Sequence, residues 1–419
     1  MPVNFARRLL LQQIAHSIGQ VPSLNPLSFG PKILDMTSLV SPEQAENMEN
    51  RTLVVVQLSG GNDGLNTLVP YSEQAYYNAR PTLALDKNEV LPLNGDVALH
   101  PSMTALQSLY KSNRLAVVQG AGYPNPNRSH YESMTIWQTA SPDETMQTGW
   151  LGRYLDTARS LDSSINAVEV DALLSPTVVG EKERAMAIQS LQSFKIASLT
   201  RKTQPLDEAT IKTLDSIQCS SCQEYNNLVN AMMEAGLDAM TASDIVRKAA
   251  SNYQTSVTYP KNDFSNRLKL AAQVVSSSLK ATIIYLQIGG FDTHANQKDT
   301  QATLLRTVSD GIAAFYQDMD AKGKANDTLI MTFSEFGRRV HENGSRGTDH
   351  GTAEPMFLVG GQVNGGLYGD YPSLSNLDSN GDLIHTVDFR QVYASVLQDW
   401  LVVDPTQILS SQFQKLNMF

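Results

Sequence analysis

Acids, imidazoles and one serine recur in this chain directly after short apolar runs. Asp63 follows TLVVVQL (Thr52 to Leu58) in the turn SGGNDGLN, and Ser129 and His130 follow LAVVQ (Leu115 to Gln119) in GAGYPNPNRSHYES. Asp292 and His294 follow TIIYLQI (Thr282 to Ile288) in GGFDTHANQ. Glu335 follows TLIMTF (Thr328 to Phe333), and the polar loop behind it carries Arg338, Arg339, His341, Asp349 and His350 before the run Met356 to Val359. Carboxylates and imidazoles delivered by separate strands suit divalent metals, Zn²⁺ taking His and carboxylate while Mn²⁺, Mg²⁺ and Ca²⁺ favour oxygen. Paired metals are a common means of cleaving phosphate esters, because they stabilise both the attacking and the leaving oxygen.

The elements that must position these groups read as alternating strands and helices. The apolar runs are β-branched and bounded by Gly and polar residues, as buried strands of a parallel sheet are, Met356 to Val359 included. Asn166 to Val170 and Thr177 to Val179 read as further short strands, and helices are predicted over Pro101 to Lys111, Thr148 to Ser160, Asn266 to Leu279, Gln297 to Lys322 and Asp388 to Trp400. Strands alternating with helices imply an α/β three-layer sandwich with a mostly parallel central sheet. In such sheets ligands bind outside the carboxyl ends of the strands, where these junctions would all open. Ser129 is accounted for as an N-cap with Glu132 completing a capping box. A helix amino end is also where a serine attacking an anionic ester gains from free N–H groups, with Arg128 as a bidentate anion clamp. Asp63 is equally at home as an Asx-type turn residue.

With 419 residues, 41% hydrophobic and 18% charged, the chain has enough apolar sequence for a large core. A formal net charge of −10 and no run of Lys or Arg argue against a nucleic-acid partner. No apolar run reaches the ~20 residues of a membrane span. Residues 1–50 read as an irregular segment or an export leader, since Arg7-Arg8 precede Leu9 to Leu11 in a shortened twin-arginine pattern. A leader would make the protein periplasmic or secreted; without one it is cytoplasmic. Residues 51–403 form the expected domain, with a helical insertion at about 182–264 and a C-terminal tail at 404–419. Cys219 and Cys222 in the insertion suit a local disulfide or two inert thiols, with a redox pair as a further option. No HExxH, GxSxG or GxxxxGK motif is present, so metalloprotease, esterase and P-loop chemistries fall away.

The order SGGNDG, NRSHYES, GGFDTH, SEFGR and TDHGT resembles a large, mostly uncharacterised bacterial family, often carrying a twin-arginine leader and related to the alkaline phosphatase and sulfatase superfamily. The resemblance runs from about Leu53 to Trp400 and implies an alkaline-phosphatase-like fold with one or two divalent ions. It implies Asp63 as a bridging or second-metal ligand, Ser129 as nucleophile, Asp292, His294 and His350 on the first metal, and Glu335 on the second. Two departures stand out: Phe336 occupies a place where the phosphatases have histidine, and one residue rather than three separates Asp292 from His294. A second metal therefore needs His130 or Asp349 as a ligand. The expected function is hydrolysis of phosphate or sulfate esters, with Arg128 or Arg338 holding the anion of a small ester or glycan. The alternative is a non-catalytic exported binding or scaffold protein.

Overall fold

The computed structural model describes residues 51–142, 146–158, 167–171, 173–188, 252–277 and 281–419. The leader-like segment, Cys219, Cys222 and most of the expected insertion lie outside these residues. In chain order the strands are β1 (Thr52–Leu58), β2 (Leu68–Val69), β3 (Leu91–Pro92), β4 (Ala98–Leu99), β5 (Leu115–Gly122) and β6 (Ala167–Glu169). They continue with β7 (Met186–Ala187), β8 (Ile283–Ile288), β9 (Thr328–Phe333), β10 (Glu354–Gly360), β11 (Gly366–Tyr368) and β12 (Val387–Asp388). The main sheet has the order β11-β5-β10-β9-β1-β8-β6-β7 with β12 beside β5, and β2, β4 and β3 form a small separate sheet.

All seven residues of β1 are buried, and alternate residues feed opposite faces of the sheet. Val54, Val56 and Leu58 join a core with the helices Thr104–Lys111, Asp263–Val275 and Gln297–Ala321. Leu53 and Val55 join a second core with the helices His130–Thr139, Trp150–Ala158 and Phe389–Ser395. A strand covered on both faces has no polar side to show, which is why its sequence is continuously apolar. The three-layer α/β sandwich follows directly.

The sheet is mostly parallel, and β10 is its antiparallel member, pairing antiparallel with both β9 and β5. The expectation that Met356 to Val359 runs parallel is therefore corrected, and the correction matters for the site. An antiparallel β10 begins on the edge where β1, β5, β8 and β9 end, so the loop bearing Asp349 and His350 arrives beside Glu335. A second correction concerns Thr177 to Val179: Pro176–Val178 is a single 3₁₀ turn, capped by Ser175, and Val179 makes an isolated bridge to Arg184. Proline's fixed φ and missing N–H favour that turn over a ladder. The segment 404–419 packs onto the second core through Ile408 and Met418, both fully buried. No helix among the described residues is long and apolar enough to cross a membrane.

Candidate metal centre

Four strand ends deliver the site. The β1 turn needs glycine at two positions: Gly60 (φ +119°) and Gly61 (φ +74°) are left-handed, and a Cβ on Gly61 would strike the Phe336 ring. The turn then places the Gly60 amide 2.9 Å from Glu335 Oε1. The loop after β5 enters the His130–Thr139 helix, whose first residue reaches back to the sheet edge. The β8 turn presents Asp292 and His294, and the loop before β10 presents Asp349 and His350.

Around Asp292 Oδ1 lie His294 Nε2 at 2.9 Å, His350 Nε2 at 3.3 Å and His130 Nε2 at 3.4 Å. His294 Nε2 also sits 3.0 Å from His350 Nε2. The outward nitrogens are all engaged: His130 Nδ1 with Glu335 Oε1 at 2.7 Å, His294 Nδ1 with Asp349 Oδ1 at 3.0 Å, and His350 Nδ1 with the Arg128 carbonyl at 2.8 Å. Each outward partner is an acceptor, so each Nδ1 donates, and in the neutral ring Nε2 is the atom left to bind a cation. Three Nε2 atoms and a carboxylate thus converge, and His130 Nε2 is a buried atom with no hydrogen-bond partner. His130, Asp292 and His350 offer ligand atoms mutually within 4.8 Å. His294 touches two of the three. Donors bound to one ion at about 2.0–2.2 Å lie within roughly 4 Å of each other, and the contacts to Asp292 meet that limit. Imidazoles anchored through their second nitrogen are the usual support of metal ligands.

Burial pushes the Asp292 carboxyl up, but the hydrogen bond and charge of Arg338, aided by His294 and His130, outweigh it and hold the group at about 2. Burial lowers His350 and keeps its imidazole neutral, while hydrogen bonds from His294 and Asn343 hold Asp349 below the usual carboxylate range.

Residues 50–410 match the family described as "Protein of unknown function (DUF1501)". The chain belongs to this family. No curated protein matches the DUF1501 chain in sequence. Among solved structures it is similar to a protein in the alkaline phosphatase superfamily from Vibrio parahaemolyticus, at 8% identity and TM-score 0.38, with 87% of this chain and 70% of that one covered. It is also similar to the PsFucS1 sulfatase from Pseudoalteromonas sp., at 12% identity and TM-score 0.36 over 90% and 75% of the two chains. A third is the C-terminal periplasmic domain of EcEptC from Escherichia coli in complex with Zn, at 11% identity and TM-score 0.32 over 74% and 73%.

The remaining candidates of the DUF1501 chain are placed differently from expectation. Asp63 is buried and does not reach the cluster; its Oδ2 pairs with Arg80 Nη1 at 2.6 Å and accepts from Gln297. Arg80, fully buried and 17 residues downstream, carries no sequence signal for this role. Glu335 orients His130 rather than joining a separate ligand set, and among the described residues one group of metal-ligating side chains is found. Phe336 packs its ring at 4.9 Å from His130 and 4.7 Å from His350.

Neither arginine is a free anion clamp. Arg338 is buried and spends its donors on the Gly60, Gly61, Phe291 and Thr348 carbonyls and on Asp292 Oδ1 at 2.7 Å. Arg128 is tied to Asp382 and Asp378 at 2.7 and 2.9 Å, and it is the Arg128 carbonyl that serves the site. Ser129 is exposed and caps the helix weakly, its Oγ 3.5 Å from the Glu132 amide. Arg339 is exposed and lies 3.7 Å from Asp382, and His341 is exposed. The LDSNGD turn that supplies both Arg128 partners gave no hint of that contact.

Proposed function

We propose that this DUF1501 protein is a metal-dependent hydrolase of phosphate or sulfate esters, working with one divalent ion held by His130, Asp292, His294 and His350. The observation that carries this is the set of three imidazoles whose Nδ1 atoms are fastened outward, which gathers three Nε2 atoms around one carboxylate oxygen. A nitrogen-rich set of this kind favours Zn²⁺ over Mg²⁺ or Ca²⁺. When bound, a divalent ion there would supply Lewis acidity to an anionic ester. Asp349, Glu335 and the Arg128 carbonyl orient the imidazoles, and Arg338 fixes Asp292 while keeping its carboxylate ionised. We assign the attack to Ser129 Oγ, a reading supported by its exposure at the amino end of a ten-residue helix. Export to the periplasm fits the Arg7-Arg8 pattern and belongs to the same proposal.

The test is turnover of aryl phosphates and aryl sulfates before and after chelation, in wild type and in Ser129→Ala and Asp292→Ala. Loss on chelation, recovery with Zn²⁺ and loss in both variants support the reading; turnover indifferent to all three ends it. The neutralised arginines favour a second reading, a binding protein with a structural ion, because among the described residues neither Arg128 nor Arg338 offers a free guanidinium to the anion. That reading predicts retained metal without turnover.

A further inference from the structure

A cavity lies against Phe336, the residue whose ring packs on His130 and His350, and it is also lined by Arg128, whose carbonyl accepts from His350. The cavity therefore adjoins the imidazole cluster through two residues. Its charge is balanced locally, since the Arg128 guanidinium is held between the carboxylates of Asp378 and Asp382 and Arg339 lies 3.7 Å from Asp382. Nothing in the lining attracts a second anion. The remaining wall is mixed, with Phe336, Leu383 and Ile384 apolar and Asn125, Ser379, Asn380 and His385 polar. Among the described residues none of those four side chains is engaged in a hydrogen bond, Asn380 being anchored through its backbone amide to Asp378 at 2.8 Å. Ile384, one of the lining residues, keeps 42% of its surface exposed.

We infer that this cavity is a subsite for a neutral, hydroxyl-rich group, a sugar ring, that carries the ester presented to the metal cluster. Amides, a hydroxyl and an imidazole offer both donors and acceptors, which is what vicinal hydroxyls require, while the apolar side chains suit the C–H face of a pyranose. The balanced lining separates labour: the anionic ester would go to an ion held at Asp292, and the uncharged remainder beside Phe336. The inference deepens the proposed ester hydrolysis and rests on it for the ligand's role, but the binding itself stands apart.

The experiment is calorimetric and ligand-observed NMR titration with neutral trisaccharides of glucose, galactose and N-acetylglucosamine. Wild type, Asp292→Ala and the exposed double variant Ser379→Ala/Asn380→Ala are compared, with thermal unfolding to establish that each is folded. At least one trisaccharide should bind saturably to wild type and, within about twofold, to Asp292→Ala, while the double variant weakens by about tenfold or more, the cost of a lost polar contact or two. No saturable binding of any trisaccharide, or binding unchanged in the double variant, overturns the inference. Failure of the hydrolase reading would show separately, as absent turnover in wild type that still binds sugar.

Discussion

His294 and His350 turn their Nε2 atoms toward each other across 3.0 Å, with the Asp292 carboxylate at 2.9 and 3.3 Å. Both rings donate their other proton to fixed acceptors, Asp349 and the Arg128 carbonyl. Rings so fixed bring two nitrogens and a carboxylate oxygen together, a donor set that a divalent cation would satisfy. The approach is held from outside, by groups belonging to two different loops, the one before β10 and the one after β5.

Asp349 tests that outside support at little structural cost, because its side chain is 53% exposed. Asp349→Ala should change stability of the chelated protein by no more than about 0.5 kcal/mol. Metal affinity should fall about 10–100-fold, as for other lost ligand supports. Competition against a fluorescent chelator measures the second, and urea unfolding of chelated protein the first. An unchanged affinity would mean His294 needs no anchor.

Arg338 should behave in the opposite way. It is a fully buried cation joining Asp292 to four backbone carbonyls, so Arg338→Met should cost about 3–5 kcal/mol even in the absence of metal. Denaturant unfolding in EDTA checks this, and a loss below about 1 kcal/mol would show that the network adds little.

How far the sequence reveals this arrangement depends on what each signal encodes. The strands β1, β8 and β9 are legible because burial on both faces writes a continuous apolar run, and Asp292, His294 and His350 are legible because they follow or precede such runs. Direction is not written in such a run, so β10 reads as parallel, although its reversal is what brings His350 to the site. Asp63 reads as a ligand because a strand-end aspartate looks the same whether it meets a metal or a guanidinium. Its partner Arg80 enters from a helix end with no motif. Thr177 to Val179 shows the limit of β-propensity over three residues, where Pro176 and the Ser175 cap decide the turn.

Glu169 gives a pH signature remote from the site. Its carboxyl is 1% exposed, and burial, with Asp171 adding to it, raises it from 4.5 to about 8 despite the Ser175 amide. The folded chain therefore holds this proton more tightly than the unfolded chain does. Stability from this group is full below about pH 4.5 and is lost as pH rises through about 8. At about 1.4 kcal/mol per unit the loss is on the order of a few kcal/mol. Glu169→Gln should flatten the fall in urea midpoint between these limits; a variant curve parallel to wild type would contradict it.

Gly61→Ala probes the turn behind the site. The positive φ of +74° costs a non-glycine residue about 1–3 kcal/mol, and the added methyl meets Phe336. Thermal unfolding should show the loss, and near-ultraviolet circular dichroism a shift as Phe336 moves. Wild-type values in both would deny the close approach.

The most direct measurement is the metal content of the purified protein by mass spectrometry, alongside His130→Ala, Asp292→Ala and His350→Ala. The account predicts about one equivalent of a divalent ion, Zn²⁺ foremost, in wild type and a loss of about tenfold or more in each folded variant. A wild-type protein that takes up no ion after reconstitution with Zn²⁺, or variants that retain it unchanged, would contradict the centre at Asp292.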